Sequence, residues 1–220
     1  MHEPTAPEPV EAKPAPRRTG KQWTTALLRD LWNWSARKPI PLLEEQQPIP
    51  HSSDVRMVIW AFVGTDLVTG IVVDTMVPPV GRVIHLLWIL FSFVFSLGVC
   101  AMTARAPHLL DASELRLRTG PFRDLTIPVE TLGSVRVAHG SSHGHGLCRV
   151  PGEDDAVACT VGSATNLVID LREPLLVELR NGEPVLAKRI HTVADEPAAA
   201  ARLISGAIAR SSATRSSPGA

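Results

Sequence analysis

Five side chains able to carry chemistry lie within or beside two long apolar stretches of the sequence. The stretches run from Met57 to Val73 and from Val83 to Met102. The side chains are two carboxylates, one imidazole and two hydroxyls: Asp66, Asp74, His85, Ser92 and Ser96. Such groups inside a membrane can relay protons or bind ions, and they can equally join two helices by hydrogen bonds. The residues therefore form a candidate intramembrane polar site, for which both interpretations stay open.

The spacing of these residues places the polar groups of each stretch on one face of a helix. In the first stretch the polar and small residues recur every four positions: Asp66, Gly70 and Asp74. In the second stretch they follow at intervals of seven and four positions: His85, Ser92 and Ser96. If the two helices form an antiparallel hairpin, Asp66 faces the level of Ser92 to Ser96, and Asp74 lies at the depth of His85.

Two membrane-spanning helices are expected to position this site. The second stretch is twenty residues long, carries no formal charge and is flanked by Arg82 and Arg105, which suits the roughly 30 Å hydrocarbon core of a bilayer. The first stretch is less apolar. A central Asp makes the free energy of membrane insertion less favourable by about 2.5–3.5 kcal/mol, whereas each large apolar residue makes it more favourable by about 0.3–0.6 kcal/mol. Because the second helix inserts strongly, we expect it to bring the first helix into the membrane with it. We therefore predict a transmembrane hairpin over residues 55–105, with helices at about 57–75 and 83–103.

Lys and Arg are concentrated at the two outer ends of this hairpin. Arg37, Lys38 and Arg56 precede the first helix and Arg105 follows the second, whereas the connecting turn has only Arg82 at its edge. Basic residues remain preferentially on the cytoplasmic side of a membrane. The pattern predicts a multi-pass protein of the plasma (inner) membrane with both termini in the cytoplasm.

The region before the hairpin is expected to contain one amphipathic helix between irregular segments. Residues 1–20 are rich in Pro, Ala and mixed charges, have no apolar segment typical of a secretory signal, and predict a disordered tail. Over residues 21–38, four apolar residues share one helical face: Trp23, Leu27, Leu31 and Trp34. This pattern favours a helix in the membrane interface, with packing on a protein surface as the alternative. Residues 39–54 are Pro-rich and predict a linker.

After the membrane the hydrophobic pattern changes to an alternation of period two, typical of strands. About seven short strands are expected, and Asn181-Gly182 predicts a two-residue type I′ hairpin turn. A last helix follows, with Leu203, Ile204 and Ile208 on its apolar face. For residues 108–210 we predict a small antiparallel β-barrel capped by a C-terminal helix, followed by a disordered tail over residues 211–220. The fold class is thus an α+β membrane protein.

Three segments of the sequence resemble a known group of proteins: RAPHLLDASELRLRTGPFRDLTIPVETLGSVRV, GSATNLVIDL and TVADEPAAAARLI. The likeness is to uncharacterised actinobacterial integral membrane proteins, in which a transmembrane hairpin precedes a domain similar to bacterial pleckstrin-homology-like domains. The resemblance covers roughly residues 39–210 and implies a PH-like domain for the β-rich part. It implies no activity.

Composition and motifs argue against several classes of function. Lys and Arg together number 22, as do Asp and Glu, so no net charge attracts nucleic acid. No phosphate-binding loop, dinucleotide-binding glycine pattern or nucleophile elbow is present. The loop with His139, His143, His145 and Cys148 contains metal-ligand types, but it lacks the paired spacing of a zinc site. We therefore expect no catalytic site, no cofactor and no metal, and the protein is not expected to be an enzyme.

Two functions remain from the sequence. The first is a membrane-anchored cytoplasmic interaction module, a scaffold or binding domain whose partners are membrane lipid and another protein or a second copy. Protein binding is favoured over lipid-headgroup binding, because the first hairpin loop of the domain has only Arg118 and Arg123 beside a neutral tip. The alternative is an accessory subunit of a transport or ion-handling assembly that uses Asp66.

Overall fold

The computed structural model describes residues 10–11, 20–119 and 124–215. The chain divides into two compact units. A helical unit is formed by Ser52–Ala106 together with the segment that ends at Pro41, and a β-rich unit by Leu42–His51 and the chain from Pro107 onward. The architecture is mixed α+β: two long apolar helices are followed by sheets and a C-terminal helix.

The helical unit contains α1 (Gly20–Ser35), α2 (Ser53–Asp74) and α3 (Pro79–Ala104). Both α2 and α3 are long and apolar enough to cross a membrane, and only 11% of the residues in the apolar window of each are buried. They form a hairpin, in which Pro79 occupies the first turn of α3, where a missing backbone N–H costs nothing. Both helices begin four residues before the predicted limits and end within one residue of them.

Two close approaches hold the three helices together. A Cβ atom added at Gly70 of α2 would lie 2.7 Å from Ile89 Cδ1 of α3, and one added at Gly98 would lie 2.2 Å from Leu27 Cδ2 of α1. The rings of Trp23 and Phe95 lie 5.6 Å apart. The predicted apolar face of α1 therefore packs on α3, which is the alternative that the sequence left open.

The end of α1 is set by backbone geometry rather than by its apolar pattern. Lys38 N–H donates to Asn33 O at 2.9 Å, Arg37 N–H donates to Trp34 O at 3.0 Å, and Arg37 has a φ of 51°. This is the Schellman arrangement, usually built on glycine. Arg105, at the end of α3, donates to the carbonyl oxygens of Lys38 and Pro39 at 2.7 and 3.2 Å. The helix thus ends three residues before the predicted limit.

The β-rich unit contains ten short or medium strands among the described residues. In chain order they are β1 (Val10–Glu11), β2 (Gln47–Ile49), β3 (His108–Leu110), β4 (Glu114–Arg118), β5 (Asp124–Pro128), β6 (Leu132–Ser141), β7 (Gly146–Val150), β8 (Glu153–Thr160), β9 (Ala164–Glu178) and β10 (Pro184–Thr192). A 3-10 turn (Val129–Thr131) joins β5 to β6, and α4 (Pro197–Arg215) ends the unit.

These strands form two sheets, and the described residues contain no closed barrel. One sheet has the order β2-β3-β4-β5, and the other the order β1-β9-β10-β8-β7 with β6 also paired to β9. The prediction of an all-antiparallel barrel needs correction, because β8 runs parallel to β10 and β1 runs parallel to β9. The chain changes sheets at the 3-10 turn, immediately after Pro128.

Three segments expected to be irregular contribute regular structure. Within the predicted linker, Gln47–Ile49 pairs with β3 as an edge strand, a position that tolerates Pro48. Residues 10–11 of the predicted tail pair with β9, while the rest of residues 1–19 lies outside the described residues. At the other end, α4 continues to Arg215 rather than ending near residue 210, and residues 216–220 lie outside the description.

Both sheets and α4 face one hydrophobic core. Buried residues come from the first sheet (Leu115 and Ile127) and from the second (Ile169 and Ile190), and Ile204 comes from α4. The predicted apolar face of α4 is partly correct, because Leu203 is 40% exposed. The core explains why alternating residues in these strands are Leu, Ile and Val.

The turn between β9 and β10 is a three-residue loop rather than the predicted type I′ turn. Gly182 N–H donates to Leu179 O at 3.0 Å, and Leu179 N–H donates to Glu183 O at 2.8 Å. Gly182 has a φ of 87°, and Asn181 does not have a positive φ. This combination matches a type I turn followed by a bulge that requires glycine. Asn181 instead uses its side-chain oxygen to accept the Glu183 N–H at 3.1 Å.

We predict that Gly182→Ala lowers the free energy of unfolding by about 1–2 kcal/mol, because a Cβ atom is strained in the left-handed region. Gly144→Ala is the matched control. A Cβ atom meets nothing within 4 Å at either position, and Gly144 has no positive φ. Urea unfolding of the full chain in detergent, followed by circular dichroism, measures both. Equal stability of the two variants would contradict the assignment of strain to Gly182.

Candidate functional site

A groove of about 190 Å³ runs between α2 and α3. Four of the five predicted polar residues line it: Asp66, His85, Ser92 and Ser96. Thr69 adds a further hydroxyl, and the remaining wall is largely apolar, with Trp88 and Ile89 from α3. The structure therefore brings four predicted residues to one surface of the hairpin.

Asp66 and Ser92 lie at the same depth along the hairpin. Ser92 Oγ donates to Asp66 Oδ2 at 3.2 Å, which agrees with the register expected from the sequence. Asp66 is exposed on the surface of the helical unit, and Ser96 lies one turn farther along α3. The carboxylate thus has one hydroxyl partner and remains accessible from the groove.

His85 bonds to the backbone of α2 rather than to a carboxylate. Its Nε2 atom lies 3.2 Å from the carbonyl oxygen of Gly70, and because a carbonyl only accepts, Nε2 carries the proton. Gly70 permits this contact, since the absence of a side chain lets α3 approach closely. The imidazole fixes the packing of the two helices at this level.

Asp74 does not belong to the groove. Its Oδ2 atom lies 3.6 Å from Arg82 Nε, so the two residues form an ion pair next to the turn of the hairpin. The sequence included Asp74 in the candidate polar site, at the depth of His85, and assigned Arg82 only to the edge of the turn. The ion pair explains the difference, since it draws the carboxylate toward the turn and away from the groove.

The described hydrogen bonds do not connect the polar residues into a relay. Asp66 bonds to Ser92, and His85 bonds to Gly70. Ser92 and His85 are seven residues apart, or about 10 Å along a helix. The groove alone therefore offers one accessible carboxylate with neighbouring hydroxyls, suited to accepting hydrogen bonds from a group that enters it.

The residues of the predicted His-rich loop do not converge. His139 lies in β6, His143 and His145 lie in the turn after it, and Cys148 lies in β7. The His145 Nε2 atom is 2.7 Å from Arg180 Nη1. Across the described ranges, no group of three or more His, Cys, Asp or Glu side chains is placed to hold a metal ion.

A buried histidine pair in the β-rich unit was missed by the sequence reasoning. His51 and His108 are 3% and 1% exposed, and their rings stack with centroids 3.8 Å apart. His108 Nδ1 accepts the Arg118 N–H at 2.9 Å, and its Nε2 donates to Val193 O at 3.0 Å. These two bonds fix a neutral imidazole in one tautomer.

The surroundings of His108 oppose its protonation. Burial is the main cause that holds the pKa of His108 well below its ordinary value, and the nearby His51 and Arg118 act in the same direction. The carbonyl of Val193 acts in the opposite direction. The hydrophobic pattern of the sequence does not single out His108, because Leu109 and Leu110 follow it directly and make the segment apolar.

The solvent-facing side of the second sheet carries a balanced row of charges. Arg189 donates to Asp170 at 2.9 Å and to Glu153 at 2.7 Å. Ser134 Oγ donates to the second oxygen of Asp170 at 3.0 Å. Hydrogen bonding to Arg189 is the largest cause that lowers the pKa of both carboxyl groups. Arg136 Nε also lies 3.7 Å from Asp170 Oδ2. Two Arg side chains therefore face two carboxylates, and this row is a poor binding site for a charged ligand.

No protein-family model, curated protein or solved structure matches this chain. The groove, the buried histidines and the exposed helix surfaces are therefore the observations from which a function is inferred.

Proposed function

We propose that the protein is a membrane-anchored interaction module. In this proposal α2 and α3 cross the bilayer as a hairpin and hold the β-rich unit at its cytoplasmic surface, where that unit binds a partner protein. The observation that carries the proposal is the outward apolar surface of the hairpin. Side chains on several sides of both helices are highly exposed: Phe62 (65%), Val68 (64%), Ile84 (73%) and Leu87 (61%).

Lipid is the solvent that suits this surface. Exposing apolar area to water costs about 25 cal/mol per Å², and a contiguous surface along two long helices far exceeds the patches that soluble monomers expose. The core helix of a soluble protein would be mostly buried, whereas only 11% of each apolar window is buried.

The distribution of basic residues supports an orientation with both termini in the cytoplasm. Arg105 binds the carbonyl oxygens of Lys38 and Pro39 at the end of the hairpin where the chain enters the β-rich unit. Arg56 lies in the first turn of α2, at the same end. Basic residues at this end, and a turn with Arg82 paired to Asp74, favour a cytoplasmic location for both termini.

We further propose that the β-rich unit is a PH-like domain that recognises protein rather than lipid headgroups. A succession of strands and one C-terminal helix over a common core supports the first part. For the second part, Arg118 lies 3.6 Å from Asp124 and Arg189 is paired to two carboxylates, so basic side chains of this unit are engaged internally. Residues 120–123, with Arg123, lie outside the described residues.

Single-cysteine labelling tests the anchoring and its orientation. In a background with Cys100, Cys148 and Cys159 replaced, Val77→Cys in the hairpin turn should react with a membrane-impermeant maleimide on intact cells. Ala220→Cys should react only after the membrane is permeabilised. The protein should also remain in the pellet after carbonate extraction. Recovery in the supernatant would overturn the anchoring, and the reverse labelling pattern would overturn the orientation.

A further inference from the structure

We propose that the groove between α2 and α3 is a self-association surface, which the same groove of a second copy covers inside the bilayer. The proposal rests on the membrane placement proposed above and names the partner of that hairpin. Its starting observation is the groove of about 190 Å³, in which Asp66 is exposed and has Ser92 as its hydrogen-bond partner.

An exposed carboxyl group in this position needs a second protein surface that shields it from lipid. Asp66 lies near the middle of α2, the helix most of whose other side chains would contact lipid. A polar group facing hydrocarbon is strongly unfavourable unless another protein surface supplies its hydrogen bonds. The cover cannot be α1, since α1 packs along the side of α3 that contains Phe95 and Gly98, and none of its residues lines the groove.

A second copy supplies matching donors at the required depth. The bilayer gives every copy the same orientation, so a two-fold axis along the membrane normal keeps each residue at its own depth. The hydrogen bond between Asp66 and Ser92 shows which donors lie at the depth of Asp66. Thr69 and Ser96 lie within about 6 Å of that depth, at 1.5 Å per residue. Each copy thus offers several hydroxyl donors to the carboxyl group of the other.

The chemistry of the groove also favours a like partner over a basic one. Among the residues that line it, Asp66 is the only acidic side chain and His85 bonds within its own hairpin. The hydroxyl groups of a second copy can donate to Asp66 without bringing a second charged side chain into the hydrocarbon, where such groups are costly. The apolar rim, with Leu67 46% and Trp88 66% exposed, adds packing surface around this polar centre.

Cysteine cross-linking in membranes tests the proposal with two adjacent residues. In the cysteine-free background, Thr69→Cys places the thiol on the groove, whereas Val68→Cys places it at nearly the same depth on another side of α2, 64% exposed. A short bis-maleimide should produce a covalent dimer from Thr69→Cys at least about tenfold more efficiently than from Val68→Cys. Adding Asp66→Ala should lower the yield from Thr69→Cys about tenfold, as expected for the loss of an interhelical hydrogen bond, and Asp66→Asn should largely restore it.

A second measurement does not depend on these substitutions. Chains labelled at the C-terminus with donor or acceptor dyes and reconstituted in phosphatidylcholine vesicles should retain energy transfer when lipid dilutes them about tenfold. Equal cross-linking at positions 68 and 69, or loss of energy transfer on dilution in proportion to density, would overturn the dimer while leaving the anchoring intact. Cross-linking of Thr69→Cys to a different protein would also overturn it. Failure of the anchoring itself would appear separately, as protein in the carbonate supernatant.

Discussion

Replacing His108 with leucine lowers the free energy of unfolding of the β-rich unit by about 3 kcal/mol. The buried imidazole bonds to Arg118 N–H and to Val193 O at 2.9 and 3.0 Å. Leucine makes neither bond, and each buried backbone group left without a partner costs about 1–3 kcal/mol. Loss of the stack on His51 adds to this cost.

Urea unfolding of the full chain in detergent measures the effect. Circular dichroism is the appropriate signal, because all five Trp precede residue 89 and report on the helices. His139→Leu is the matched control, since His139 is an exposed histidine on β6 and its replacement should change stability by less than about 0.5 kcal/mol. If both variants are equally stable, the hydrogen bonds of His108 do not stabilise the fold.

The same residue makes stability depend on pH. The pKa of His108 is lowered in the folded protein, so below the ordinary value of about 6.5 the unfolded chain binds a proton that the folded chain does not. Stability is therefore complete above about pH 6.5 and falls as the pH decreases, by up to about 1.4 kcal/mol per pH unit. His108→Leu should remove this contribution. Identical pH slopes for the variant and the wild type between about pH 6.5 and 5 would contradict the assignment.

Replacing Gly98 with leucine releases α1 from α3. Even a Cβ atom at this position would lie 2.2 Å from Leu27 Cδ2 and 2.5 Å from Leu27 Cγ. Leu27 is 4% exposed and cannot move without opening the cluster that it forms with Ala26 and Met102. Overpacking of this kind costs about 1–3 kcal/mol, which shifts the equilibrium toward a state in which α1 is not packed on α3.

Maleimide labelling of Ala26→Cys in the cysteine-free background measures the release. Ala26 is 7% exposed, so its thiol should be protected while α1 is packed. Adding Gly98→Leu should increase the labelling rate about tenfold, the factor that corresponds to about 1.4 kcal/mol. Gly64→Leu is the control, because a Cβ atom there meets nothing within 4 Å, and labelling should stay slow. Continued protection in Gly98→Leu would show that α1 is held by other contacts.

Part of the candidate site could be predicted because helical periodicity is local. Positions 66 and 92 are 26 residues apart, yet two regular helices and a short turn determine that they meet, and the hydrogen bond between Ser92 and Asp66 follows. The ion pair between Asp74 and Arg82 was not predicted, because it depends on the conformation of the turn. The His51–His108 stack joins residues separated by both apolar helices, and no local pattern indicates it.

The sequence by itself determined the properties that depend on neighbouring residues: the two apolar helices, the amphipathic face of α1 and the alternation of residues in the strands. Only the tertiary structure decided which strands pair, that β8 runs parallel to β10, and that β6 leaves the sheet of β5 to join β9. The physical reason is that side-chain periodicity arises from backbone geometry over a few residues. Sheet order and buried polar contacts instead depend on the free energy of a core assembled from distant segments.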